Sequence, residues 1–509
     1  MTGRARGGLA LVAAAAAAVL LTPPASGASS TPTARVSVAT GGGQANGHSL
    51  APAMSKDGRF VAFYSNASNL VAGDTNRRRD VFVHDRQAGQ TTRVSVANDG
   101  SQANGDSFAP AISGDGRYVV FSSSASNLVP GDTNNANDIF LRDRVANTTT
   151  RISAGPGGSQ PNAGSFAPAI SADGNVTAYE SDATNLVTGD SNAVRDVFVY
   201  DRTSGTTTRV SVSTSGTEGD APSGQATLDA DGGIVAFSSF ADNLIPVDQN
   251  FTADVFVRDR QAGTTTRVSV YNGGFEADGN SFHPSLSADG RIVAYDSDSF
   301  NLAWFDPDEG PDIYVYDRQA DVVTPASADD AGNLGNDSSM TPSISSDGRF
   351  VAYATDATDI VPDDQNGAPD IVLYDLQSGA ADRLSLGNSG SEPEGDSTRP
   401  SISGDGTLVA YQSTAANLVS GDSNRATDIF VRDTTANPPP PPRVRCTVPR
   451  LIGLRLATAR KRITKARCRV GRVRKAHSPH RVGRVIAQSP KPGTRRAAGT
   501  RVNLVVGRR

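Results

Sequence analysis

Asp-Gly pairs begin at Asp57, Asp115, Asp173, Asp231, Asp289, Asp347 and Asp405, a step of 58 residues that never varies. Three other aspartate series keep the same period, starting at Asp74, Asp80 and Asp85 and ending at Asp422, Asp428 and Asp433. A strict long period means copies of one supersecondary unit, each unable to bury its apolar face alone, stacked in a line or closed into a ring.

The second copy shows what the unit is. Residues 107–112 read as a short strand entering the Asp115-Gly116 turn. Glycine tolerates positive φ there, and the aspartate bonds back to its own backbone. Residues 117–123, rich in β-branched and aromatic side chains, form the next strand. A polar loop over 125–137 precedes a third strand at 138–143, and a fourth is expected at 150–153. No segment of the unit has helical period. Four antiparallel strands repeated seven times predict an all-β chain folded as a seven-bladed β-propeller; solenoid rungs are usually much shorter. The last copy lacks the Arg-Val-Ser-Val strand, which stands instead at residues 35–38, ahead of the first complete copy. That permutation predicts ring closure: the N-terminal strand completes blade seven beside residues 428–433 and removes both free edges.

The leader carries Arg4 and Arg6, an apolar run over residues 8–21 and a small-residue region over 23–28. It is expected to be an export signal over residues 1–28, because the apolar run is too short for the ~20 residues of a spanning helix. The alternative is an uncleaved anchor. Residues 29–437 form the expected propeller, 438–442 a stiff polyproline spacer, and 443–509 a separate module. Net charge splits between the two. Residues 443–509 hold 21 Lys/Arg and no Asp/Glu, while the rest of the chain beyond the leader holds 25 basic and 53 acidic residues. Partners of opposite sign are implied.

Both cysteines, Cys446 and Cys468, lie in the basic module. In an exported chain an even count in one small domain predicts a disulfide, with two free thiols as the alternative. Two thiols without spaced histidines do not fill a zinc site.

The repeated acids invite a calcium reading. Asp74, Asn76 and Asp80 stand at positions one, three and seven of a loop, as do Asp132, Asn134 and Asp138; Asp190, Asn192 and Asp196; and Asp422, Asn424 and Asp428. Oxygen ligands at such spacing suit calcium. The competing reading, favoured here, has these side chains capping turns through local backbone bonds. Asp85 and its equivalents are expected to bind the neighbouring turn. A rim loop of the fifth blade departs from the repeat with Phe300, Trp304 and Phe305, which can anchor a sugar or peptide or pack on the adjacent blade. No catalytic triad declares itself: His48, His84 and His283 occupy three different phases of the repeat. A hydrolase acting on polysaccharide or peptide through the channel stays as the alternative to a binding role.

Ser55-Lys56-Asp57-Gly58-Arg59-Phe60-Val61-Ala62-Phe63, followed by Asp80-Val81-Phe82-Val83-His84-Asp85-Arg86, resembles the WD-like repeat of TolB-type propellers over residues 35–433. The carboxyl-terminal module resembles a PASTA domain. Its Val448-Pro449 opening, its helix expected over 456–466, its Val485-Ile486-Ala487-Gln488-Ser489-Pro490 segment and its final Val502-Asn503-Leu504-Val505-Val506 carry the likeness. This resemblance implies association with peptidoglycan. A cysteine bridge would pin helix to strand there, contributing roughly 3 kcal/mol in the loop-entropy account. Arg495, Arg496, Arg508 and Arg509 are candidate contacts for an anionic wall polymer, bound by counterion release. Nucleic acid is disfavoured because residues 443–509 contain no Phe, Tyr or Trp for base stacking. The expected product is an extracytoplasmic bacterial protein, secreted or wall-associated and monomeric, with a protein or glycan ligand at the propeller.

Overall fold

The computed structural model describes residues 32–271, 274–303, 310–330, 332–436, 445–497 and 500–509. The leader and the polyproline spacer lie outside them, as do Trp304 and Phe305. Among the described residues are seven four-stranded antiparallel sheets. In the second, Ser107–Ile112, Tyr118–Ser123, Asp138–Asp143 and Thr148–Arg151 pair in chain order. The fourth strand therefore ends at Arg151 rather than running through Ile152 and Ser153. The reason is the serine: Ser153 turns inward, where its Oγ donates to Asp138 Oδ1 at 2.8 Å and accepts from the Ile139 amide at 2.9 Å.

The seventh sheet closes the ring. Thr33–Arg35 pairs antiparallel with Asp428–Asp433, outside Leu408–Ser413 and Ser397–Ile402. The closing strand thus begins and ends earlier than residues 35–38, by the same serine logic. Ser37 Oγ donates to Asp428 Oδ1 at 2.5 Å.

The second and third strands of each blade carry the core. Seven apolar clusters fill the propeller, each built from side chains of neighbouring blades, as where Val81, Val83 and Val94 meet Val119, Phe121 and Phe140. Within blades, rings stack across the two central strands: Phe63 on Phe82, Phe121 on Phe140, Tyr179 on Phe198. Such pairs contribute about 0.5–1.5 kcal/mol each beyond area burial.

The Asp-Gly turns explain the strictness of the period. Gly116 has φ of 71°, and a Cβ there would run into the Phe60 ring of the preceding blade; Gly58 stands in the same way against Leu408, across the ring closure. Asp115 Oδ1 accepts from Ser113 Oγ at 2.6 Å and from the Arg117 amide at 2.9 Å. Just before each turn a backbone amide donates to the next blade. Lys56 donates to Gly114, Gly114 to Ala172, and so on until Gly404 donates back to Lys56 at 2.8 Å. Seven bonds in one rotational sense tie the inner strands together at this end of the channel, around a cavity of about 170 Å³ lined by one aliphatic residue per blade, Met54 to Ile402.

Blade four breaks the turn rule. Asp229 stands where the other six blades have serine. It still accepts the Ile234 amide at 3.1 Å, but a carboxylate cannot donate to Asp231 as a serine does. Burial, and then the Asp231 charge, push its carboxyl up to about 6. A carboxyl whose pKa is raised on folding contributes stability below its unfolded value, and that stability is lost as pH rises through about 6. Asp229→Ser should therefore stabilise the protein by on the order of 1–2 kcal/mol at pH 8 and by little at pH 4–5. Melting curves at both pH values check this; an equal shift at both would refute it.

In the basic module, Arg469–His477 runs parallel to Arg501–Arg508, which pairs antiparallel with Val485–Ser489. Helix Leu456–Lys465 buries Ala459 and Ile463 against Val485, Val502 and Leu504. Arg445–Thr447 pairs with Arg495–Ala497, a two-stranded element that sequence reading did not foresee.

Candidate functional site

Three regions can meet a partner: the outer loops, the channel mouth and the basic module.

In the outer loops of six blades the acid group closes on an arginine. Asp80 Oδ1 accepts from Ser95 Oγ at 2.6 Å, while its Oδ2 accepts from Asn76 Nδ2 at 2.8 Å and Arg93 Nη1 at 3.3 Å. The same Nη1 lies 3.2 Å from Asp74. Asn76 Oδ1 in turn accepts the Arg78 amide at 3.0 Å. Asp132, Asn134 and Asp138 surround Arg151 in the same manner; Asp190, Asn192 and Asp196 surround Arg209; Asp422, Asn424 and Asp428 surround Arg35. The guanidinium occupies the centre of the carboxylates, where the calcium reading would set an ion. Its arginine was visible in the repeat, but its convergence on acids about 13 and 19 residues earlier was not.

Three of these cages hold a third acid. Glu218, Glu276 and Glu392 take the place of Gln102, and Arg209, Arg267 and Arg383 each face three carboxylates. Blade five has lost the device: Pro325 replaces the arginine and Leu334 the Gln/Glu. The same blade carries Phe300, which is 52% exposed.

Asp85 behaves as expected and does more. Its Oδ1 accepts the amides of Gln87 and Ala88 at 2.9 and 3.1 Å, and Arg59 grips both oxygens at 3.0 and 2.7 Å. In blade two the equivalent fork from Arg117 holds Asp143 down at about 2. Of the propeller histidines, His84 is buried against Thr91 at 2.9 Å, and desolvation lowers it to about 4. His48 contacts Thr427 at 3.2 Å.

His283 belongs to the channel. Every innermost strand has a bulge at its third residue, and that residue is always in the left-handed region: Ala51, Ala109, Ala167, Gln225, His283, Thr341 and Arg399, with φ between 44° and 55°. Such a conformation costs about 1 kcal/mol or more for a non-glycine residue. Neighbouring bulge side chains meet: His283 Nε2 lies 3.2 Å from Gln225 Nε2. Gln225 Oε1 accepts from the His283 amide at 3.0 Å and from Ser238 Oγ at 3.1 Å, so its Nε2 must donate to the imidazole. His283 Nδ1 then carries the proton and donates to Asp296 Oδ2 at 2.9 Å. Next to this pair Glu180 and Asp182 hold Arg195 at 3.2 and 2.8 Å. Blades one to three present methyl groups and blades four to seven a polar arc, so the channel mouth is two-sided. Sequence reading missed it. The signal was there, as one column of a strict repeat in which Ala-Ala-Ala is followed by Gln-His-Thr-Arg.

In the basic module the disulfide is present, joining Cys446 to Cys468 with Cα atoms 5.0 Å apart. Arg495 and Arg496 lie on the short strand paired with residues 445–447, and Arg508 ends the last strand, with Arg508 and Arg509 exposed. The exposed side chains of residues 460–475 are mostly basic, and no acid is available to neutralise them.

No curated protein matches this chain in sequence. Solved structures similar to it include TolB from Acinetobacter baumannii, at 16% identity and a TM-score of 0.38, covering 64% of this chain and 63% of that one. Oligogalacturonate lyase from Vibrio parahaemolyticus is 12% identical with a TM-score of 0.46, covering 76% and 90%. The β-propeller domain of the Trilobed protease from Pyrococcus furiosus is 10% identical with a TM-score of 0.47, covering 77% and 99%. The PASTA family matches residues 447–508, the segment that contains the helix, the three-stranded sheet and Cys468. The chain thus joins a seven-bladed β-propeller to a carboxyl-terminal PASTA domain.

Proposed function

We propose that this protein is a non-catalytic binding platform of the bacterial cell envelope, held at the wall by its PASTA domain while the propeller engages a separate partner. The observation that carries the reading is the PASTA match at residues 447–508 together with 21 basic and no acidic residues from 443 onward. Anionic wall polymer or peptidoglycan suits such a module, since exposed arginines bind polyanions by releasing condensed counterions. A disulfide fits an extracytoplasmic place. Among the described residues no helix is long and apolar enough to cross a membrane.

Sedimentation with purified cell walls tests this. The full chain should bind and a chain ending at residue 436 should not. Replacing Arg495, Arg496, Arg508 and Arg509 by glutamine should weaken binding roughly tenfold at low salt, because each lost phosphate-type contact lowers both affinity and salt slope. Binding of the intact protein should fall steeply as the screening length shortens to about 8 Å at physiological ionic strength and further above it. If the truncated propeller sediments with walls and the full chain gains nothing from its tail, this division of labour is wrong.

A further inference from the structure

We propose that Arg399 is the anchor for a single carboxylate, the free C-terminal group of a peptide whose apolar last residues lie across the channel mouth of blades four to seven. The inference goes beyond wall attachment through the PASTA domain and can fail without it.

The first observation is a gap in a repeated device. The bulge residue stands outside the strand register in each blade, and in blades one, four, five and six its amide is served by a side chain of the preceding blade. Gln412 Oε1 accepts the Ala51 amide at 2.9 Å, Glu180 Oε2 that of Gln225 at 3.2 Å, and Asp296 Oδ2 that of Thr341 at 2.9 Å. The residue in blade six that would serve Arg399 is Ala354, which has no oxygen to offer. Arg399 is exposed, and among the described residues its guanidinium forms no hydrogen bond or ion pair. Ala109 and Ala167 also sit at bulges, but their side chains are methyls. Only at Arg399 does a cation share the position with a bulge amide, and that combination of backbone N–H and planar fork fits an oxyanion.

The second observation selects the charge. Asp396 lies three residues before Arg399, and it and Asp337 add to the burial that raises Asp356. Acids this close to one another repel a dianion such as phosphate far more than a monoanion.

The third observation selects the rest of the ligand. Met340, 39% exposed, precedes Thr341 in the neighbouring innermost strand. Phe240, 48% exposed, packs against Phe282 with centroids 5.9 Å apart, and Phe282 lies beside His283. These hydrocarbon surfaces follow the polar arc around the mouth. They suit aliphatic or aromatic side chains just before a terminal carboxylate.

The test uses the full chain and a pool of fluorescein-labelled hexapeptides with the last two positions drawn from Ala, Val, Leu and Phe. Half of the pool has a free C-terminal acid and half a C-terminal amide. In fluorescence anisotropy the acid pool should bind at least tenfold tighter than the amide pool. Arg399→Gln should abolish that preference and leave the melting temperature and wall sedimentation unchanged, while Arg399→Lys should keep part of it. Inorganic phosphate at matched ionic strength and an oligogalacturonate should both compete poorly. Equal binding of acid and amide, no binding of either pool, or an unaltered preference in Arg399→Gln overturns the proposal. Displacement of the bound acid pool by oligogalacturonate at lower concentration than by the same peptides unlabelled would assign the site to a sugar carboxylate instead, and overturns it equally.

Discussion

A chain lacking residues 29–40 should melt roughly 10 °C or more below the intact protein, or fail to fold cooperatively. Blade seven takes its outer strand from this segment, and its loss exposes the Asp428–Asp433 edge on one side while breaking the circle on the other. The deleted piece is more than three rungs of ladder. Arg35 Nη1 lies 3.2 Å from Asp422 and 3.5 Å from Asp428, and Ser37 donates to Asp428 Oδ1 while accepting the Ile429 amide at 3.0 Å. Thr33 donates its amide to Asn388 at 2.8 Å, and Arg432 donates to the Thr33 hydroxyl at 3.0 Å. Val36, buried between blades seven and one, goes as well. Removing the partner of a buried charge alone costs about 3–5 kcal/mol, against a total stability of about 5–15 kcal/mol for a domain. At 2 °C or so per kcal/mol for a large domain, the drop in Tm follows. A chain starting at residue 32 is the control and should melt like the intact protein. An unchanged Tm for the longer deletion would show that the ring does not depend on this closure.

Arg383→Gln should cost about 3–5 kcal/mol at pH 8 and far less at pH 5. Arg383 Nη1 faces Glu392 at 2.8 Å, Asp370 at 3.0 Å and Asp364 at 3.9 Å, and its Nη2 donates to the Pro362 and Asp363 carbonyls at 3.0 and 2.9 Å. Even with this cation present, burial pushes Asp370 up to about 6. A raised carboxyl pKa contributes stability at low pH that is lost as pH rises through the folded value, so removing the arginine extends the loss to higher pH. Acid then becomes a rescue: with Asp370 protonated, the site no longer has three negative charges to reconcile. Millimolar calcium at pH 8 should restore part of the variant's lost stability, since a cation can take the vacated centre, and should leave the melting temperature of the unaltered protein where it is. Equal destabilisation at pH 5 and pH 8 would show that the arginine acts through packing and not through charge.

Much of the architecture was legible because a 58-residue repeat copies one physical solution seven times. Asp-Gly at each turn, alternating apolar strands and the displaced Arg-Val-Ser-Val together require blades and a closing strand. Strand ends were less legible. The fourth strand stops at Arg151 because Ser153 is recruited by Asp138, a contact across 15 residues that no local propensity registers. The acids at Asp74, Asn76 and Asp80 suggested a cation, and a cation is there, but it is the guanidinium of Arg93. Local spacing identifies ligand oxygens without saying which charge the fold brings to them. The Cys446–Cys468 pair was legible from count and compartment alone.

What the sequence determined by itself is the period, the blade count, the two-domain division and the opposed charges, since each follows from residue type and spacing along the chain. The tertiary structure decided where the unlike residues of the repeat converge. Gln225, His283, Thr341 and Arg399 are separated by 58 residues at each step, yet they share one rim because ring closure places the same bulge of successive blades side by side. Periodicity along a chain fixes what each blade is; only the circle fixes which blades are neighbours across it, and the asymmetry of the channel mouth exists at that level alone.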